Sequence, residues 1–461
     1  MVAPLYTTAS GLLFHAGKIL VVTIGLPARG KTHISRALER YLRWMGVKTQ
    51  VVSLGDYRRK ILGATKKVPP DYFTLGEKST ETQELRKKVS AGCEQLIWDF
   101  FEGGGQVVIY DANNGTKAAR QALAEKFDKA GIHVVLLGES GSYVSVGEKI
   151  MLNNIQGYLQ SRIVFFLMNI HNRFRTIYFA RSGQSLIEHS YKADADLSPA
   201  GWEYAERLKE FVLDRRAKSL KERGLNPSKR KLVIWTSTHR RAHHTAWPFL
   251  ATAQASNLAE GLPISSSPEP SSVLATAGQT MVSKISSPAL NVKVVEKPQM
   301  LEINPGIWDG LSPDQAKKYY PEDWSRFLKD PYSFRAPRAE SYHDLSVRLE
   351  PVLIELEKEQ EDLLIIGHAS VIRCMLAYLI GLPASEIPAI EIARGDLLEV
   401  VPASYGVHSQ AFHFWDGPGR HGTVDSDPLA GKDDLNFYEN YAEDTKGKRN
   451  VNTPEPSVIR D

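Results

Sequence analysis

The sequence predicts an α/β protein of more than one domain, opening with a P-loop NTPase-like parallel sheet. Three observations carry that expectation. Short apolar, β-branched runs recur at 19–24, 49–54, 105–111 and 132–137, and again at 176–180, 232–237 and 363–368, with helical periodicity between several of them. The first run passes directly into GLPARGKT at 25–32, the order a phosphate-binding loop requires: buried strand, sharp turn, helix. The chain has 461 residues, which at about 100–200 residues per domain implies two to three domains.

Each element of the first domain follows from its residues. Gly25 and Gly30 permit turn conformations that a Cβ resists. The loop of Gly25, Leu26, Pro27, Ala28, Arg29 and Gly30 would wrap the phosphates of ATP with backbone N–H groups. Lys31 would reach the β- and γ-phosphates, and Thr32 would hold Mg²⁺. Ile34, Leu38, Tyr41, Leu42 and Met45 then recur at helical spacing. The alternative, a chance match in a glycine-containing turn, lacks this context.

The second strand, 49–54, runs into GDYRRK at 55–60. Arg58, Arg59 and Lys60 thus lie at a strand end, where α/β sheets bind ligands and where arginine can grip a phosphate; a solvated basic turn is the other reading. A helix over 80–101 carries Leu85, Val89, Cys93, Leu96 and Ile97 on one face and Arg86, Lys87 and Lys88 on the other. The strand at 105–111 ends in Asp111, the pattern of a Walker B element, whose carboxylate places Mg²⁺ or takes the acceptor's proton. A loop, ANNGT at 112–116, follows, and then the fourth strand at 132–137.

Composition excludes several classes. Hydrophobic content of 42% and charged content of 24% fit a globular chain, and a formal charge of +4 calls for no nucleic-acid or membrane partner. Only Cys93 and Cys374 are present, so no disulfide framework exists; both fall in apolar helical patterns as core residues. No run approaches a membrane span and no leader pattern opens the chain, so a cytoplasmic protein is expected.

In the second half, the strand at 176–180 ends in RSGQS (181–185), the strand at 232–237 leads to Arg241, and the strand at 363–368 ends in His368. A helix over 341–357 packs Leu345, Leu349, Val352, Leu353 and Leu356. HRRAHH at 239–244 is not read as a metal site, because adjacent histidines on a helix diverge and no Cys or carboxylate spacing supports zinc. Residues 253–292 read as a Ser/Ala/Pro-rich insertion, and 417–461 as a disordered polar tail. Ser267, Ser287 and Thr453 each precede proline and are candidate sites for a regulatory protein kinase.

GLPARGKT at 25–32, GDYRR at 55–59, DANNGT at 111–116 and IQGYLQSRIVFFLMNIH at 155–171 together resemble the bifunctional 6-phosphofructo-2-kinase/fructose-2,6-bisphosphatase family in its fungal form. The likeness runs from about Leu13 to Asp416. It implies a kinase domain over 1–171 and, over 172–416, a histidine-phosphatase (phosphoglycerate-mutase-like) α/β domain. The kinase would transfer the γ-phosphoryl of ATP to the 2-hydroxyl of fructose 6-phosphate, making fructose 2,6-bisphosphate, a signal that balances glycolysis against gluconeogenesis. By resemblance Arg58, Arg59 and Arg86 would bind the sugar phosphate, with Thr116 and Arg120 nearby and Asp111 at the reacting hydroxyl. A homodimer is also implied.

The sequence departs from the family in both domains. Near 138–147 the helical lid that closes over ATP in relatives is missing, and cations at a migrating phosphoryl are worth about 10³–10⁵ in rate. In the RSGQS element, Ser182 stands where the family's nucleophilic histidine belongs, and a serine hydroxyl without an adjacent base is a poor nucleophile. By resemblance Arg181 and Arg241 would grip phosphate, Glu302 would be the general acid, His368 the second histidine, and Tyr332, Arg335 and Arg338 sugar-phosphate contacts. Glu188 and Ser190 replace a family asparagine and arginine. The reading is a 6-phosphofructo-2-kinase with an inactive bisphosphatase domain. Its alternatives are a non-enzymatic, metabolite-binding pseudoenzyme and a fructose-2,6-bisphosphate 2-phosphatase.

Overall fold

A computed structural model describes residues 17–27, 30–63, 68–74, 76–138, 158–170, 175–187, 190–227, 230–251, 291–403 and 406–417. Several expectations lie outside these residues: Ala28 and Arg29 of the loop, the shortened segment from 139 onward, Glu188, the insertion over 253–290, the proline-directed sites and the tail beyond 417.

Two sheets organise the chain. The first is parallel throughout, in the order β2-β3-β1-β4, built from β1 (Lys18–Ile24), β2 (Thr49–Ser53), β3 (Val107–Asp111) and β4 (Ile132–Gly138). β1, β2 and β3 are largely buried, as parallel strands covered by helices are, while the edge strand β4 is only partly covered. Leu20, Val22, Val108 and Tyr110 face α3 (Thr80–Glu102) and α4 (Lys117–Asp128) in one apolar cluster. Ile19, Val21, Val107 and Ile109 face α1 (Lys31–Trp44) and α5 (Tyr158–Asn169) in another. Register places Val22 beside Tyr110, so the loop leaving β1 and the acid ending β3 emerge at the same sheet edge.

The second sheet has the order β10-β9-β5-β8-β6-β7. Its parallel centre is β5 (Ile177–Arg181), β8 (Asp362–Gly367), β6 (Leu232–Thr236) and β7 (Val292–Glu296). The antiparallel hairpin β9 (Asp396–Ala403) and β10 (Gly406–His413) extends one edge. On one face lies α6 (Pro199–Glu222), through Tyr204, Leu208 and Val212. After the short helices α7 (Arg240–Thr245), α8 (Pro313–Tyr319) and α9 (Pro321–Lys329), the other face is covered by α10 (Tyr342–Lys358) and α11 (Ala369–Ile380), whose cluster is continuous with that of α1 and α5. The two sheets therefore share one apolar layer.

Three sequence expectations change. GDYRRK is neither loop nor turn: residues 54–62 form a helix, α2 (Leu54–Leu62), whose N-cap Ser53 accepts from Asp56 N–H, because the capping serine ends β2. Leu96 lies 37% exposed, and the buried stripe of α3 is instead Thr82, Val89, Cys93, Ile97 and Phe101. The insertion ends before β7, which begins at Val292. Cys93 and Cys374 are free and fully buried, and burial pushes both thiols up to about 12. Native protein is accordingly expected to resist DTNB, with two thiols titrating only after unfolding in guanidinium. Among the described residues no helix is long and apolar enough to cross a membrane.

Candidate active site

The loop after β1 turns on two glycines with positive φ, +148° at Gly25 and +85° at Gly30, a region that favours glycine. Gly30 is the N-cap of α1 and has no side-chain cap, so the first-turn N–H groups of a 14-residue helix face the loop, a ready anion site. Lys31 is buried, and its Nζ donates to the Leu26 carbonyl across the loop at 2.5 Å.

Thr32, on the next residue of α1, donates from Oγ1 to Asp111 Oδ2 at 2.8 Å. Residues 79 apart in sequence thus meet beneath the loop, and Asp111 is itself buried. A neighbouring network fixes the pair. Thr23 Oγ1 donates to the Ala112 carbonyl at 2.9 Å, Gly25 N–H donates to Asn113 O at 3.1 Å, and Asn114 Nδ2 donates to Thr23 O at 2.9 Å. The loop after β3 is thereby stitched to the loop after β1.

The predicted sugar-phosphate residues flank this edge. Arg58 is buried in α2, its guanidinium 5.0 Å from the Phe73 ring, and its Nη1 has no hydrogen-bond partner among the described residues. Arg59 is more exposed and ion-pairs with Asp56, which also holds Arg36 at 3.0 Å. Arg86 is exposed on the polar side of α3. Thr116 caps α4 by accepting from Ala119 N–H, and Arg120 Nη1 donates to the Asn114 and Gly115 carbonyls at 3.1 Å. These last two shape the loop that carries the acid.

A second group of polar side chains collects at the carboxyl ends of β5, β8 and β6. Register sets Arg181 beside Gly367, so Ser182 and His368 are neighbours, and Ser182 N–H donates to Gly367 O at 2.9 Å. His368 Nε2 lies 2.9 Å from Ser237 Oγ, and its Nδ1 lies 3.8 Å from Glu302. Arg241 ion-pairs with Glu302. Burial first, then the charges of Arg241, His239, Arg181 and Arg348, holds His368 well below its ordinary pKa, so the ring is neutral.

Other predicted members turn elsewhere. Tyr332 donates its hydroxyl to Ser346 at 3.4 Å, Arg335 lies 3.6 Å from Asp344, and Arg338 adopts a φ of +62°. Arg335 and Arg338 line a separate cavity of about 520 Å³ with Asp323 and Arg326. Ser190, predicted as a replaced cation, donates to Asp309 at 3.4 Å. Sequence reasoning missed Ser237, His239 and Arg394, whose Nε donates to Ser182 O at 3.2 Å. Ser237 sits at the end of a recognisable strand and was legible; Arg394 reaches Ser182 from 212 residues away and carried no local signal.

Residues 6–142 and 139–173 match the 6-phosphofructo-2-kinase family, and residues 251–413 match the histidine phosphatase superfamily, branch 1. The chain is 31% identical to a Saccharomyces cerevisiae protein provisionally named a 6-phosphofructo-2-kinase/fructose-2,6-bisphosphatase, covering 86% of this chain and 83% of that one. It is 28% identical to the Saccharomyces cerevisiae fructose-2,6-bisphosphatase, covering 84% and 87%. It is also 28% identical to Rattus norvegicus 6-phosphofructo-2-kinase/fructose-2,6-bisphosphatase 4, covering 87% and 86%.

Proposed function

Since this chain belongs to the 6-phosphofructo-2-kinase/fructose-2,6-bisphosphatase family, we propose that its first domain transfers the γ-phosphoryl of ATP to the 2-hydroxyl of fructose 6-phosphate. The observation that carries this reading is the 2.8 Å bond between Thr32 and Asp111. It gathers a hydroxyl and a carboxylate, the oxygen donors that Mg²⁺ takes, beneath an uncapped helix N-terminus suited to phosphates. Bound Mg²⁺ would neutralise charge developing on the transferred group.

The chain's own groups have distinct tasks. Backbone N–H groups at the start of α1 orient the nucleotide phosphates, and Lys31 exchanges the Leu26 carbonyl for a phosphate oxygen. Asp111, on the strand beside the loop, holds the metal or receives the proton of the attacking hydroxyl. Arg58, whose Nη1 has no protein partner among the described residues, supplies a cation for the sugar phosphate, with Arg59 and Arg86 at the rim. Incubation with MgATP and fructose 6-phosphate should yield an acid-labile sugar bisphosphate; no product above a protein-free control would contradict the assignment.

The second domain is proposed to be inactive as a bisphosphatase. Ser182 offers a hydroxyl where a neutral imidazole would be needed, and no described side-chain base is bonded to it. Arg241 is already engaged by Glu302. Exposure to fructose 2,6-bisphosphate labelled with ³²P at the 2-position should leave no acid-labile phosphoenzyme. A labelled histidine would contradict this and favour the phosphatase alternative.

A further inference from the structure

A cleft lies away from both strand-end sites, on the seam between the two sheets. It encloses about 650 Å³, within the roughly 300–1,000 Å³ of small-molecule sites. The first domain contributes the C-terminal half of α1 and the start of β2, and the second contributes the end of α11 and Val407 of β10.

Its chemistry is lopsided. Arg36, Arg40, Arg43 and Lys48 line it against one carboxylate, Glu39. Glu39 is already shared, accepting from Arg36 at 3.1 Å, from Arg43 at 2.9 Å and from Val51 N–H at 3.2 Å. Arg40 is neutralised by Glu357 at 2.9 Å, outside the cleft lining. Lys48 has no ion-pair partner among the described residues. The C-terminal ends of α1 and α11 also open here, but their dipoles offset only about half a unit of charge each. Arg36 is further engaged by Asp56 at 3.0 Å, so the positive charge of the cleft is concentrated at Lys48 and at Arg43, which shares Glu39 with Arg36. The remaining wall is apolar, formed by Trp44, Phe100, Ile380, Leu382 and Val407.

We propose that this cleft is a binding site for a small organic anion, a carboxylate or phosphate attached to an apolar or aromatic body. The anionic head would sit toward Arg43 and Lys48, both exposed, and the body against Trp44 and the end of α11. The occupant would touch both domains at once. It would also sit at the far end of the helix that begins at Lys31, about 21 Å along for 14 residues at 1.5 Å each. This inference does not rest on the kinase reading.

Photolabelling of the full chain with 4-azidobenzoate, and separately with 4-azidophenyl phosphate, tests it; the two arms distinguish carboxylate from phosphate. Mass spectrometry should find saturable labelling in peptides covering 43–49 or 377–383, competed by unlabelled benzoate or phenyl phosphate. Arg43→Gln with Lys48→Gln should weaken labelling about tenfold, by removing two of the attracting charges. Ile380→Trp, at a position 38% exposed and so tolerant of size, should block it sterically. Both variants should melt like the parent. Absence of saturable labelling of those peptides by either probe, or labelling undiminished in either variant, overturns the proposal.

Discussion

Replacing Lys31 with alanine is expected to cut formation of fructose 2,6-bisphosphate by about 10²–10³-fold, roughly 3–4 kcal/mol of lost transition-state stabilisation, while leaving the melting temperature essentially unchanged. The Lys31 Nζ donates to Leu26 O within its own loop, a local bond whose loss leaves the sheet and helix packing in place. Its ammonium is a preorganised charge at the edge where phosphates would lie, and no other described lysine occupies that loop. The measurement is initial velocity under saturating MgATP and fructose 6-phosphate, with product quantified after acid treatment of a matched half-sample. A variant retaining more than half the parental rate would show that phosphoryl transfer occurs elsewhere.

The second large effect concerns the seam. Glu357, on α10, is 2% exposed and lies between two cations: Arg40 of α1 at 2.9 Å and Arg175 at 3.9 Å. Tyr378 of α11 donates to it at 2.8 Å. Burial alone would push its carboxyl up, but the two arginines and the hydrogen bonds from Arg40 and Tyr378 outweigh that and hold it below the ordinary carboxylate range. Glu357→Gln keeps the shape and leaves two buried guanidinium groups uncompensated, which costs about 3–5 kcal/mol. The apparent melting temperature should fall by roughly 10 °C, taking about 2–4 °C per kcal/mol.

The sign of its pH dependence follows from the lowered native pKa. Glu357 contributes stability that is present above its unfolded pKa and lost as pH falls through the folded one. The gap between parent and Glu357→Gln should therefore be full at neutral pH and shrink below the ordinary carboxylate value. Thermal melts from pH 7 down to pH 4 and below check this. A variant as stable as the parent at pH 7, or a gap that widens on acidification, would remove Glu357 from its place in the seam.

How much of this was legible beforehand depends on whether the signal is local. The Thr32–Asp111 contact was readable because both residues sit at fixed offsets from strand runs, and parallel sheets put such strand ends on one edge. Arg58, Arg59 and Lys60 read as strand-end cations or as a solvated basic turn, and their local sequence gives no helix signal. The capping serine and the packing of α2 on α3 overrode that local reading. The β9–β10 hairpin escaped notice because Asp396, Glu399 and the polar residues of an edge strand break the apolar pattern. The Arg40–Glu357–Arg175 cluster spans hundreds of residues of sequence, and charges in an amphipathic helix read as solvated until a second domain is seen to cover them.

Titration calorimetry of the full chain with MgATP tests the central claim most directly. One saturable site per chain is expected, weakened at least about tenfold in Thr32→Val and again in Asp111→Asn, as loss of metal-holding groups costs. A chain that takes up no MgATP, or one whose affinity is indifferent to both substitutions, would contradict it.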